Sequence, residues 1–118
     1  MASLPRTLVV VSSDPRTSAR PAEGIRIAAG VGAWKKTIVT LLLRGPAGYS
    51  LGEYVDELVH EDCYTRYLPI VAEAGPPIYL ADDFTDLDAL EGSPFKYQRV
   101  SEAEIVKLYA ENDYFIQM

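Results

Sequence analysis

Four groups of residues carry side chains suited to chemistry. The first is Gly48-Tyr49-Ser50-Leu51-Gly52, which matches the G-x-S-x-G arrangement that presents a nucleophilic serine at a strand-to-helix turn. In such a turn the serine abuts the strand, whereas here Arg44 to Ala47 intervene. The sole histidine, His60, is ten positions further on, which along a continuous helix is about 15 Å. That is out of reach for a base that must hydrogen-bond the serine. Ser50 is therefore expected to be the N-cap of a helix, with a serine hydrolase as the remote alternative.

The second group is a single thiol, Cys63, flanked by Glu61 and Asp62. Negative neighbours oppose the sulfur anion that nucleophilic thiol chemistry needs, so Cys63 is expected to be structural, with a sulfur-transfer role as the alternative. The third is Asp82-Asp83-Phe84-Thr85-Asp86-Leu87-Asp88, four carboxylates in one short stretch. They could serve a hard cation, but the glycine and distal glutamate of an EF-hand are missing. An Asp-rich helix start explains them equally through the helix dipole, and no metal is expected.

The fourth group is basic. Arg16, Arg20 and Arg44 follow the first two apolar runs, with Ser12, Ser13 and Ser18 nearby. Guanidinium groups beside a helix N-terminus suit a small anion, and the same arginines could pair with the acidic stretch instead. The candidate ligand-binding residues are Ser12, Ser13, Arg16, Arg20, Arg44, Asp82 and Asp83. Gly45-Pro46-Ala47-Gly48 lacks the Gly-Lys-Ser/Thr ending of a phosphate-binding loop.

These groups must be held by regular elements. Residues 7–12 and 37–43 are continuous apolar, β-branched runs, as expected of strands buried on both faces. Between them Pro21 and Glu23 suit a first helical turn. Ile27, Val31 and Trp34 recur at helical spacing, beside a face of Ile25, Ala28, Ala29 and Gly32. Residues 51–60 read as a second helix and 64–74 as a helical piece that Pro69 either starts or kinks, with Gly75 as its C-cap. Short strands are expected at 78–81, 95–100 and 114–117. Ser101-Glu102-Ala103-Glu104 is a capping box with Val100 and Ile105 as its staple, predicting a helix to about Glu111. Strands alternating with helices predict an α/β fold with a mostly parallel sheet covered on both sides. Ligands in such folds sit beyond the carboxyl ends of the strands, which selects the loops at 12–20, 44–50 and 81–94.

The 118 residues suit one domain, 1–118, and 48% hydrophobic with 24% charged residues is ordinary globular usage. No apolar run approaches the roughly 20 residues of a membrane span, and the first residues lack the apolar core of a signal peptide. With one cysteine, a cytoplasmic address is expected. Residues 1–50 hold seven basic and two acidic groups, a net of +5, while residues 51–118 hold four basic and fifteen acidic groups, a net of −11. The overall −6 disfavours nucleic acid. The split allows unlike poles to meet between copies, or simply to cancel within one fold.

Val-Val-Val-Ser-Ser at 9–13, Pro-Ala-Glu-Gly-Ile-Arg-Ile-Ala-Ala-Gly at 21–30 and Lys-Lys-Thr-Ile-Val-Thr-Leu-Leu-Leu-Arg-Gly at 35–45 resemble the DsrE/DsrF (TusD/TusC) family of sulfur-relay proteins. The segments 100–108 and 112–117 look like that family's closing helix and terminal strand. The resemblance implies a three-layer α/β/α sandwich of about five mostly parallel strands and a homo-trimer or homo-hexamer. Tyr49, Tyr54, Tyr64 and Tyr67 are candidates for its half-wet interface. The family's sulfur carriers place a reactive cysteine after the third strand, where this chain reads Ala81-Asp82-Asp83. The expectation is thus a DsrE-like accessory or small-molecule-binding protein, without persulfide chemistry and without a cofactor. It would partner itself and a small anionic ligand, not nucleic acid or a membrane. A sulfurtransferase using Cys63 is the alternative.

Overall fold

A computed structural model describes residues 4–52, 57–74 and 76–118. The two apolar runs become the central strands, β1 (Arg6–Val11) and β2 (Ile38–Leu43), joined by helix α1 (Arg20–Ala33). The chain continues through a 3-10 helix, Gly45–Leu51, to helix α2 (Glu61–Glu73) and strand β3 (Ile78–Ala81). A second 3-10 helix, Leu87–Leu90, leads to β4 (Tyr97–Val100), helix α3 (Glu102–Glu111) and β5 (Tyr114–Gln117). The five strands form one parallel sheet in the order β4-β3-β2-β1-β5. This is the α/β architecture expected from the alternation of strands and helices.

The two faces of the sheet are covered unequally. Val9, Val11, Leu41, Leu43, Ile78 and Leu80 pack with residues of α1 and α2 into the larger core. Leu8, Val10, Leu42, Ala81 and Val100 face the other way, against Ile105 and Leu108 of α3. Each central strand therefore buries both its faces, which is why its sequence is apolar without alternation. The α3 capping box forms as read: Ser101 Oγ accepts from the Glu104 N–H at 3.3 Å, and Glu104 Oε1 accepts from the Ser101 N–H at 3.3 Å.

Three expectations need correction. In α1 the buried face is Pro21, Ala22, Gly24, Ile25, Ala28 and Ala29. Ile27 and Val31 are only half-buried, and Trp34 is 68% exposed. Small residues won because they let the helix approach the sheet: a Cβ at Gly24 would lie 2.9 Å from Val11 Cγ2. The helix expected at 51–60 is not what residues on either side of 53–56 show. Leu51 ends the 3-10 helix and 58–60 are bend and turn, while 53–56 themselves lie outside the described residues. Leu51 and Leu58 are both buried, so their apolar spacing served packing and not a continuous helix. Finally, α2 starts at Glu61 and carries Pro69 in its interior; the proposed C-cap, Gly75, lies outside the described residues.

The tyrosines expected at an interface differ in burial. Tyr64 is buried and Tyr67 packs against the larger core. Tyr49 belongs to the side-chain network described below, and Tyr54 lies outside the described residues.

Candidate functional site

The loops beyond the carboxyl ends of the strands meet around Tyr49. Asp14-Pro15 opens a turn after β1, with the N–H groups of Thr17 and Ser18 donating to the Asp14 carbonyl at 3.2 and 2.9 Å. The Asp14 carboxylate turns back on the same loop. It accepts from Arg16 N–H at 2.9 Å, Nε at 3.0 Å and Nη2 at 2.9 Å. The Arg16 guanidinium holds the Asp14 carboxyl below its usual range, partly opposed by desolvation, and Asp14 in turn pushes Arg16 up. Asp14 takes only two of the five guanidinium N–H donors.

Arg16 also lies over Tyr49, with the guanidinium carbon 3.9 Å from the ring centroid. The Tyr49 hydroxyl donates to Asp86 Oδ2 at 2.7 Å, and this bond to a carboxylate raises the phenol's pKa. The same ring meets Phe84 edge-on at 5.0 Å. Phe84 in turn covers Gly48, where a Cβ would fall 2.5 Å from the Phe84 ring. Gly48 thus allows the 3-10 helix to slide under Phe84, and that contact places Tyr49 between Arg16 and Asp86.

The predicted ligand residues distribute as follows. Arg16 is in this network. Arg20 opens α1, its N–H donating to Ser18 Oγ at 3.1 Å, while Ala19 at the N-cap offers no side-chain acceptor. Ser12 is exposed, and Ser13 Oγ donates to the Met118 carbonyl at 2.9 Å. Arg44 turns away toward α3, where its Nη2 meets Glu102 Oε1 at 2.7 Å. It pairs with neither Asp82 nor Asp83. Asp83 Oδ1 instead accepts the Gly45 N–H at 2.9 Å, and the Asp82 carbonyl accepts Arg99 Nη2 at 3.0 Å. The acidic loop is thereby pinned to β4 and to the end of β2. Among the described residues, no group of three or more His, Cys, Asp or Glu side chains is arranged to hold a metal ion.

Ser50 is neither cap nor accessible nucleophile. It is the next-to-last residue of the 3-10 helix, fully buried, and its Oγ has no hydrogen-bond partner among the described residues. The hydroxyl of Tyr64, also buried, is likewise unpartnered. Burial pushes Tyr64 up to about 12, and the neighbouring Ser50 hydroxyl offsets a little of that rise without reaching hydrogen-bond geometry. The cap reading failed because the chain winds as a 3-10 helix before Ser50, starting at Gly45 after an extended Arg44.

Cys63 is half-buried in the first turn of α2, packed against the larger core. It does not follow β3, yet it lies nearer the strand carboxyl ends than a helical position suggested. The Val59 N–H donates to the Pro15 carbonyl at 2.9 Å, tying the approach to α2 to the β1 loop. The sequence did not join Asp14, Phe84, Asp86 and Tyr49 to Arg16. Asp14-Pro15-Arg16 was the available signal, since Asp before Pro starts a turn that returns its carboxylate to the backbone two residues on.

At the opposite end of the sheet is a hollow of about 580 Å³, lined by Ala28, Ala29 and Gly32 of α1, Ile70 and Val71 of α2, and Val39. Its walls are mostly apolar, with Lys35, Thr37 and Glu73 as the polar side chains of the lining. The polar chemistry of the fold lies with the Arg16–Tyr49 network.

No protein-family model matches the sequence, and no curated protein matches it. The fold does have solved counterparts. The crystal structure of the ychN protein from E. coli superposes with a TM-score of 0.77, covering 98% of this chain and 100% of that chain at 15% identity. At that identity the likeness concerns architecture alone, and it agrees with the sequence pattern: the protein has the DsrE-like α/β fold.

Proposed function

We propose that this protein is a DsrE-like accessory protein that binds a small anionic molecule at the carboxyl end of its sheet, assembles with itself, and does not carry persulfide sulfur. The observation that carries this reading is the Arg16 platform. A guanidinium held over Tyr49 and tied to a single carboxylate keeps donors in hand, next to an α1 N-terminus that lacks a side-chain cap. A carboxylate, phosphate or sulfate group could take over from Asp14 or bind beside it. The loop after β3, where the family's carriers keep their cysteine, holds Asp83, whose carboxylate accepts the Gly45 N–H, and Asp82, whose carbonyl accepts Arg99 Nη2.

Thermal-shift titration with inorganic phosphate, sulfate and small dicarboxylates tests the binding. Stabilisation that rises with concentration and disappears in Arg16→Ala supports it; an unchanged midpoint with all three rejects it. The assembly is read by sedimentation, in which a single species near 13 kDa rejects the self-association.

A second reading is favoured by one observation, the position of Cys63 close to the carboxyl-end loops. In that reading Cys63 accepts sulfur from a persulfide donor. Intact-mass measurement after incubation with such a donor separates the two: a stable gain of about 32 Da on Cys63, one sulfur atom, establishes the carrier.

A further inference from the structure

The sheet has two edges, and they are built differently. The β4 edge reads Pro94-Phe95-Lys96-Tyr97-Gln98-Arg99, with a proline before the strand and exposed cations before and within it. Arg99 folds back to donate to the carbonyls of Asp82 and Phe84, both at 3.0 Å. Proline, lysine and arginine on an edge are the usual devices that stop another strand from adding to it. The β5 edge has none of them. Tyr114-Phe115-Ile116-Gln117 is uncharged, and β5 pairs only with β1. Its outer row of N–H and C=O groups has no strand partner among the described residues.

The flanks of β5 are equally unguarded. Tyr114 is 62% and Phe115 45% exposed. In a parallel pair, partnered residues share a face, so Tyr114 stands on the α1/α2 side with Thr7 and Val9, and Phe115 on the α3 side with Leu8. The Phe115 ring packs on Tyr109 of α3 at 5.2 Å, and Val106, one turn earlier on that helix, is 66% exposed. An apolar surface therefore runs from the edge strand onto the adjoining helix. Two of the exposed large hydrophobic side chains, Val106 and Phe115, fall on this face, and a third, Tyr114, stands on the opposite face of the same strand.

We propose that β5 pairs antiparallel with β5 of a second copy about a two-fold axis, joining two five-stranded sheets into one. This rests on the self-association reading above and names the surface that carries it. A strand is the occupant we infer because an extended backbone matches the spacing of this row of unpaired N–H and C=O groups and can replace the water on all of them at once. The second copy is that strand because the edge is self-complementary. Antiparallel pairing about a two-fold matches a segment with itself reversed, and four uncharged residues place no like charges opposite one another. A chain of net charge −6 repels its copy wherever acidic surfaces meet, and the four residues of β5 add no charge to that repulsion. Val106 and Phe115 then extend the contact beyond the strand toward the area a stable interface needs.

The test is sedimentation equilibrium of the wild type and of two double variants, Tyr114→Lys/Gln117→Lys and Tyr114→Glu/Gln117→Glu. Both positions are exposed, so the fold should tolerate the changes, which circular dichroism checks. The expected result is that each double variant has half the wild-type mass, and that mixing the two at equal concentration restores it, because opposite charges then face each other across the pair. A wild type that is itself monomeric overturns both this inference and the self-association reading. A wild-type assembly whose mass the double variants leave unchanged overturns the β5 pairing alone and assigns the contact to another surface.

Discussion

The carboxyl and amino ends of this sheet are closed in different ways. At the carboxyl end three loops from distant parts of the chain interlock: Arg16 on Tyr49, Tyr49 on Asp86 and Phe84, and Phe84 on Gly48. At the amino end a hollow of about 580 Å³ opens between α1, α2 and β2, lined in part by the small residues Ala28, Ala29 and Gly32. The same kind of residue thus has opposite effects. Glycine at 48 permits a tight contact, while glycine at 32 borders unfilled space. The amino-end hollow thus has a mostly apolar lining, while the Arg16–Tyr49 network lies at the other end of the sheet.

Replacing these two glycines tests that contrast most directly. Gly48→Ala should have the largest effect, because its Cβ would sit 2.5 Å from the Phe84 ring. Overpacking of this kind costs about 1–3 kcal/mol, read as a lowered urea midpoint, and Phe84→Leu in the same chain should recover part of it. A neutral Gly48→Ala would mean that Phe84 turns aside freely and that the carboxyl end is not tightly closed. Gly32→Ala should move the other way. Its Cβ would meet only Val39 side-chain atoms at 3.8 Å, and alanine is the better helix former, so stability should rise by about 0.5–1 kcal/mol. A loss of stability there would show the hollow to be narrower than described.

The third test concerns the two buried hydroxyls of the carboxyl end. Removing both in Ser50→Ala/Tyr64→Phe takes away two groups that make no hydrogen bond among the described residues. Stability should stay level or rise by up to about 1 kcal/mol. Tyr64 also has a signature in alkali. Its folded pKa, about 12, exceeds the ordinary tyrosine value of 10.0, so the folded state holds the proton more firmly than the unfolded one. That contribution is intact below pH 10.0 and is lost as the pH rises to about 12. The wild type should lose more stability across this window than Tyr64→Phe, and parallel curves would remove the assignment.

The smallest effect is expected at the rim of the same end. Asp14→Asn breaks an exposed ion pair with Arg16 and should cost under about 1 kcal/mol, less in high salt. Because the folded carboxyl titrates below its usual value, the pair contributes above the ordinary carboxylate range and fades as the pH falls through the folded pKa. A larger, salt-independent cost would mean that Asp14 is needed to shape the β1 loop and not only to hold Arg16.

The legibility of the sequence differed between these regions for physical reasons. β1, β2 and β3 were readable because strands buried on both faces need unbroken apolar runs. The α3 start was readable because a capping box is satisfied within four residues, and both its hydrogen bonds are present. The segment after β2 misled, because Leu51 and Leu58 have a spacing compatible with a helix while the chain was bound to a different constraint, the passage of Gly48 beneath Phe84. Nothing within ten residues of Gly48 announces a ring that arrives from thirty-six positions away.

By itself, then, the sequence determined what short-range physics can determine: which runs are extended, where the last helix begins, and that strands and helices alternate into a parallel sheet. Tertiary structure alone decided the strand order, the unequal covering of the two faces, and the partners of the charged groups. Arg44 could have met Asp82 or Asp83 in the loop expected beside it, yet it reaches Glu102, 58 residues on, at 2.7 Å. The choice between two carboxylates of equal chemistry depends on distance, and distance between remote residues exists only after the sheet has set its register.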